Sequence, residues 1–94
     1  MVIGVCTLEL QVPDSASLKQ KRQIIRSLVA RLRQQFNIAL AEVDHQDSWQ
    51  LATLAMVAVS NDLAYVQGLL QHAVDAVEDG RHGLVLLDYS IEIL

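Results

Sequence analysis

Two long apolar runs limit what this 94-residue chain can fold into. Residues 2–12 and 51–59 have the length and composition of strands, and both carry apolar residues on their two alternating faces, the first run mainly in its first half. A strand with one solvated face would instead alternate apolar with polar residues along its whole length. The two runs therefore predict strands in the middle of a sheet.

Two segments with apolar residues at helical spacing lie between the predicted strands. The first covers about residues 17–35 and the second begins near residue 62, and each has one continuous apolar stripe. The expected caps are Ser15 or Ser17 for the first helix, Ser60 or Asn61 for the second, and Gly80 and Gly83 around the exit of the second.

The remaining segments complete the pattern. Residues 36–43 alternate as a strand, and the polar turn at 44–48 joins them to the run at 51–59 as a hairpin. Residues 84–94 form a last strand that sends Val85, Leu87, Tyr89, Ile91 and Ile93 to one side. The order predicts a single α+β domain over residues 1–94, a ferredoxin-like β-α-β-β-α-β sandwich. Its four-stranded antiparallel sheet carries both helices on one face, and strands one and three are central.

The face of this sheet that the helices leave open is expected to be apolar at its centre. Ile3, Val5, Leu54 and Met56 are the predicted lining residues. Monomers seldom expose a contiguous apolar patch, so a second copy of the same sheet is the expected cover. The sequence predicts a homodimer with these four residues at its interface.

Charge is distributed very unevenly along the chain. The net charge is −4, yet residues 15–35 carry +6 without a single acid, and the other residues carry −10. The six cations of that segment are Lys19, Lys21, Arg22, Arg26, Arg31 and Arg33. At about 100° per residue, Lys19, Arg22, Arg26 and Arg33 project along one edge of the first helix, beside its apolar stripe, while Lys21 and Arg31 lie elsewhere.

Such a line of cations can neutralise successive phosphates of RNA. The candidate nucleic-acid-binding residues are Lys19, Lys21, Arg22, Arg26 and Arg33. The alternative is an ordinary solvated face whose cations balance acids on a neighbouring helix or subunit. The two predicted central strands carry no aromatic residue for base stacking, so RNA is not expected to bind through the sheet.

Catalysis and metal binding have weak support. Asp44, His45 and Asp47 share a turn, but aspartates in turns usually bond their own backbone. Neither His72 nor His82 has a visible nucleophile or base partner, and no glycine-rich phosphate loop or paired-cysteine motif occurs. We expect no catalytic residue, no metal and no cofactor.

Cys6, Trp49 and the amino-terminal run bear on the environment and location of the protein. Cys6 lies in an apolar run and is expected to be a buried hydrophobe in a reducing compartment. Trp49 follows the hairpin turn, where folding over the edge of the core is favoured and a partner contact is the alternative. Residues 1–10 lack a basic leader and no run is long enough to span a bilayer, so the expected location is the cytoplasm, away from membranes.

Three segments resemble the YlxP-like family of small bacterial proteins of unknown function. They are Ser-Leu-Lys-Gln-Lys-Arg at 17–22, Phe-Asn-Ile-Ala-Leu-Ala-Glu-Val at 36–43 and Val-Ser-Asn-Asp at 59–62. The resemblance implies a ferredoxin-like fold, no established activity, and genes often placed beside those for translation initiation and ribosome-maturation factors. The basic part of the motif falls on Lys19, Lys21 and Arg22.

Three functional hypotheses follow. The favoured one is a non-enzymatic protein that binds RNA or the ribosome through the basic helix. The alternatives, both without nucleic-acid binding, are a dimeric structural or protein-interaction module and a small-ligand regulatory domain. The last of these rests on analogy with other domains of the fold alone.

Overall fold

The computed structural model describes residues 1–79 and 83–94 and has the predicted element order. The elements are β1 (Val2–Gln11), α1 (Leu18–Gln35), β2 (Ala39–Asp44), β3 (Leu51–Ser60), α2 (Leu63–Glu78) and β4 (Val85–Ile93). The strands form one antiparallel sheet in the order β2-β3-β1-β4. The prediction of a ferredoxin-like fold with β1 and β3 at the centre is confirmed.

The core lies between the sheet and the two helices. Cys6, Leu8 and Leu10 of β1 are at most 1% exposed, and they share the core with the apolar stripes of α1 and α2. Gly4 marks a close approach of β1 to α2, because a Cβ atom there would lie 2.6 Å from Val66 Cγ1. The covered face of the sheet is therefore tightly packed.

The predicted interface residues on β3 are on the wrong face. Leu54 and Met56 are fully buried under the helices, since Leu54 lies opposite Leu8 and Met56 opposite Cys6. Ile3 and Val5 do lie on the open face, opposite Val59 and Val57. The error arises because β3 is apolar on both faces, so alternation alone does not tell which set of residues faces the helices.

A β-bulge changes the predicted face of β4. Tyr89, Ile91 and Ile93 lie opposite Leu8, Cys6 and Gly4 and so share one side of the sheet, as predicted, but the register shifts between Glu9 and Leu10. Beyond the shift, Leu86 lies opposite Leu10 and is half-buried, whereas Leu87 is 54% exposed. A bulge adds one residue to a strand, so residues on its two sides no longer follow one alternation.

The helix starts were predicted with mixed success. Ser17 caps α1, and its hydroxyl accepts a hydrogen bond from the Gln20 N–H at 3.1 Å. The cap of α2 is Asp62, whose carboxylate accepts from the Ala64 N–H at 2.9 Å, and not Ser60 or Asn61. Gly80 and His82 lie outside the described residues.

The tryptophan prediction is also wrong. Trp49 does not fold over the core, because 56% of its side chain is exposed. A tryptophan exposed to this extent leaves a large amphipathic surface in the solvent.

Candidate nucleic-acid interface

Lys21 is a structural cation and not a surface one. Its ammonium group is fully buried, 3.1 Å from Glu42 Oε2, 2.7 Å from the His45 carbonyl oxygen and 3.0 Å from the Leu51 carbonyl oxygen. Three acceptors match the three N–H donors of a lysine. Lys21 therefore fixes the first turn of α1 to the mouth of the β2–β3 hairpin. Its assignment as a phosphate-binding residue was wrong.

The sequence contained a signal for this burial. Lys21, Ile25, Leu28 and Leu32 are spaced by four, three and four residues, which is the spacing of the buried stripe of a helix. On β2, Glu42 follows the buried Leu40 by two residues and so shares its inward face. A cation and an acid at inward positions of adjacent elements indicate a buried pair.

The other predicted cations lie at the surface. Lys19, Arg22, Arg26 and Arg33 are all exposed. Arg22, Arg26 and Arg33 line a groove of about 410 Å³ between α1 and the edge strand β2. The floor of this groove is apolar and consists of Val29, Ala30 and Ala41, while the other two apolar lining residues, Ile25 and Leu40, belong to the core and are 4% exposed. The sequence predicted the line of cations, but not the groove, because the groove depends on how β2 packs beside the helix.

The residues that line the groove provide no free carboxylate to neutralise its arginines. Glu42 is the only carboxylate among its lining residues, and that carboxylate is paired with Lys21. In residues 1–79 and 83–94, no carboxylate lies within ion-pair distance of Arg22, Arg26 or Arg33. Guanidinium groups that have no carboxylate partner and surround a concave surface form a site for an anion from outside the chain.

Arg33 is held in place across the groove. Its Nη2 atom donates a hydrogen bond to the Leu40 carbonyl oxygen at 2.7 Å. A guanidinium has five N–H donors, so this bond orients the group and leaves further donors for a ligand. It also connects the last turn of α1 to β2.

The turn between β2 and β3 uses its polar residues for its own backbone. Asp44 Oδ1 accepts from the His45 N–H at 2.7 Å, and His45 has a left-handed backbone conformation with φ of 62°. Within the described ranges, no three histidine, cysteine or acidic side chains come together in a way that could hold a metal ion.

Cys6 is buried on the covered face of β1, as predicted. Burial raises the pKa of its thiol to about 11. The thiol therefore stays protonated near neutral pH and is a poor nucleophile.

The open face of the sheet has one apolar end and one acidic end. Ile3 and Val5 lie opposite Val59 and Val57, and Val59 is 60% exposed. At the other end, the register places Asp44, Thr53, Glu9 and Asp88 side by side across the four strands. The Thr53 hydroxyl donates to Glu9 Oε2 at 2.7 Å. This face repels a polyanion, in contrast to the outer side of α1.

Comparison with known families identifies the chain. Residues 3–91 match the family described as "Protein of unknown function (DUF503)". The chain belongs to the DUF503 family. The resemblance seen in the sequence motifs is confirmed, since this DUF503 chain is 29% identical over 77 residues to "Uncharacterized protein YlxP" of Bacillus subtilis (strain 168). That match covers 82% of this chain and 84% of the relative.

A solved structure shares the fold of this DUF503 chain. "De novo designed protein Foldit4" superposes with a TM-score of 0.53 at 6% identity, over 98% of this chain and 96% of the designed one. This likeness concerns the fold alone. No helix in the described part of the chain is long and apolar enough to cross a membrane.

Proposed function

We propose that this DUF503 protein is a non-enzymatic, cytoplasmic RNA-binding protein that associates with the ribosome through the outer side of α1. The observation that carries the proposal is the set of exposed cations Lys19, Arg22, Arg26 and Arg33, because α1 has no acid and the one carboxylate at the groove is paired with Lys21. The ribosome is the proposed source of the RNA because genes of the YlxP-like family often lie beside genes for ribosome-maturation factors.

The spacing of these cations suits a chain of phosphates. At 1.5 Å per residue, Lys19 and Arg33 lie about 21 Å apart along the helix, with Arg22 and Arg26 between them. Four contacts to phosphates would release condensed counterions, so the affinity would fall about fiftyfold between 50 and 200 mM salt. The acidic end of the open sheet face would keep the RNA on the helix side.

Co-sedimentation with ribosomal subunits tests this proposal. The wild type is expected to pellet with a subunit at low salt and to stay in the supernatant at high salt. Arg26→Gln should reduce the pelleted fraction, whereas Arg31→Gln, which removes the same charge about 140° around the helix, should not. Equal pelleting of Arg26→Gln and wild type at every salt concentration would contradict the proposal.

Self-association through the open sheet face is a second candidate function. Its support is the apolar end of that face, where Ile3, Val5, Val57 and Val59 are adjacent by register and Val59 is mostly exposed. Two copies would overlap there, because the row of Asp44, Glu9 and Asp88 would repel the same row of a partner. Leu54 and Met56 take no part in this revised interface.

Sedimentation velocity at micromolar concentration tests the pairing. The wild type is expected to be a dimer, and Val59→Lys should convert it to a monomer by placing a charge in the apolar contact. Leu63→Lys is the matched control, since Leu63 is an aliphatic residue of α2 that is 48% exposed. A monomeric wild type would exclude this candidate function in the tested range.

A further inference from the structure

The groove between α1 and β2 has two chemically different parts. Arg22, Arg26 and Arg33 form a cationic wall, whereas Val29, Ala30 and Ala41 form an apolar floor. Its volume of about 410 Å³ lies within the usual range for sites that hold a small ligand. A ligand that complements both parts has a flat, weakly polar body and an attached anion.

We infer that this groove holds one unpaired nucleotide of an RNA single strand, with the base on the apolar floor and the adjoining phosphates on the arginines. The inference rests on the proposed function and specifies the form of RNA that is recognised. In an A-form duplex the bases are stacked and paired, and a side chain meets mainly phosphates and 2′-hydroxyl groups. Only an unstacked base can enter a concave apolar site.

The two ends of the groove differ in charge, and this difference decides at which end the phosphates lie. Glu42 is bound to Lys21, in the first turn of α1, and so lies toward the Arg22 end. Leu40 is bound to Arg33 in the last turn of the helix. The Glu42 side chain is 18% exposed, whereas the Lys21 ammonium group that pairs with it is fully buried, so a phosphate meets the carboxylate and not its partner, and the phosphates lie toward Arg26 and Arg33. Arg26 therefore contributes more to binding than Arg22.

Comparison of single-stranded and duplex RNA tests the inference. A fluorescein-labelled mixed-sequence RNA strand is titrated with the full chain at low salt, alone and annealed to its complement. Attraction between charges alone favours the duplex, whose charge density is higher. Burial of an unstacked base against the aliphatic floor reverses this order, and we expect the single strand to bind about tenfold more tightly.

Shortening one floor side chain tests the apolar contact without a change of charge. Val29→Ala is expected to weaken single-strand binding about fivefold and to leave duplex binding unchanged. Ile24→Ala is the matched control, because Ile24 is also a half-buried aliphatic residue of α1 but does not line the groove. Circular dichroism verifies that both variants are folded at the temperature of the titration.

The outcomes separate this inference from the proposed function. Equal or tighter binding of the duplex, with Val29→Ala no different from Ile24→Ala, overturns the inference. The proposed function then still stands if Arg26→Gln weakens binding to both forms. Absence of binding to either form at low salt overturns both. Tighter single-strand binding that Val29→Ala weakens selectively supports the nucleotide site.

Discussion

Lys21 and Arg26 are cations of the same helix, five residues apart, and they lie in opposite environments. Lys21 is fully buried and bonds three acceptors of the β2–β3 hairpin. Arg26 is exposed beside an apolar groove and has no carboxylate within ion-pair distance among the described residues. A run of basic residues is therefore not one surface, since the turn of the helix divides it between the buried hairpin contact and the exposed side of α1.

The largest effect is expected on the inner side of α1. Lys21→Met should lower the free energy of unfolding by about 3 kcal/mol, because it leaves the Glu42 carboxylate and two carbonyl oxygens without their donor. This value lies at the lower end of the usual loss for removing one partner of a buried ion pair, because the Glu42 side chain remains 18% exposed. Urea unfolding measures the change, and exposed Lys19→Met should stay within about 0.5 kcal/mol of wild type.

A second substitution tests the origin of that loss. Adding Glu42→Leu to Lys21→Met removes the unpaired carboxylate and should recover about 1 kcal/mol or more. The recovery is incomplete because the carbonyl groups of His45 and Leu51 still lack a donor. A double variant less stable than Lys21→Met alone would show that the buried pair is not the reason for the loss.

Substitutions on the outer side of α1 should lower the affinity for RNA and leave the stability almost unchanged. Arg22→Gln combined with Arg26→Gln is expected to lower RNA affinity at least about tenfold at low salt, because two phosphate contacts are lost. The unfolding free energy should change by no more than about 0.5 kcal/mol, since both side chains are exposed. Fluorescence anisotropy and urea unfolding on the same samples measure the two effects. A large loss of stability would remove the distinction between the two sides.

Replacement of Arg33 should lower both the stability of the protein and its affinity for RNA, each by a smaller amount. Its bond to the Leu40 carbonyl oxygen predicts that Arg33→Gln costs about 1 kcal/mol of stability. Its position on the groove predicts a loss of RNA affinity of about threefold. Arg33→Lys is the conservative control, because it keeps the charge but not the planar donor array. Unchanged stability in Arg33→Gln would mean that the bond to Leu40 contributes nothing in solution.

The element order could be predicted from the sequence because the helices show helical spacing of apolar residues, the strands are short apolar or alternating runs, and polar residues separate them. Ser17 was one of the two predicted caps of α1, and helical spacing placed Arg22, Arg26 and Arg33 on one edge of that helix. The face of β3 could not be predicted, since apolar residues on both sides of a strand carry no signal of direction. Bulges are equally hidden, because the alternation before and after Leu87 looks continuous in the sequence.

The candidate site was only half predictable for a different reason. A helical projection describes one helix and says nothing about the strand that packs beside it. The groove requires β2, and the role of Lys21 requires the hairpin carbonyls of His45 and Leu51. The spacing of Lys21 within the buried stripe was visible in the sequence, but a charged residue at such a position is rare enough to be read as exposed.

The salt dependence of RNA binding tests the central claim most directly, namely that the exposed cations of α1 bind phosphates. With four contacts to a single strand, the logarithm of the binding constant should fall with the logarithm of salt concentration with a slope of about −3 for the wild type. Replacement of Lys19, Arg22 and Arg26 by glutamine should reduce the slope to about −1. Identical slopes for the two proteins would contradict the claim.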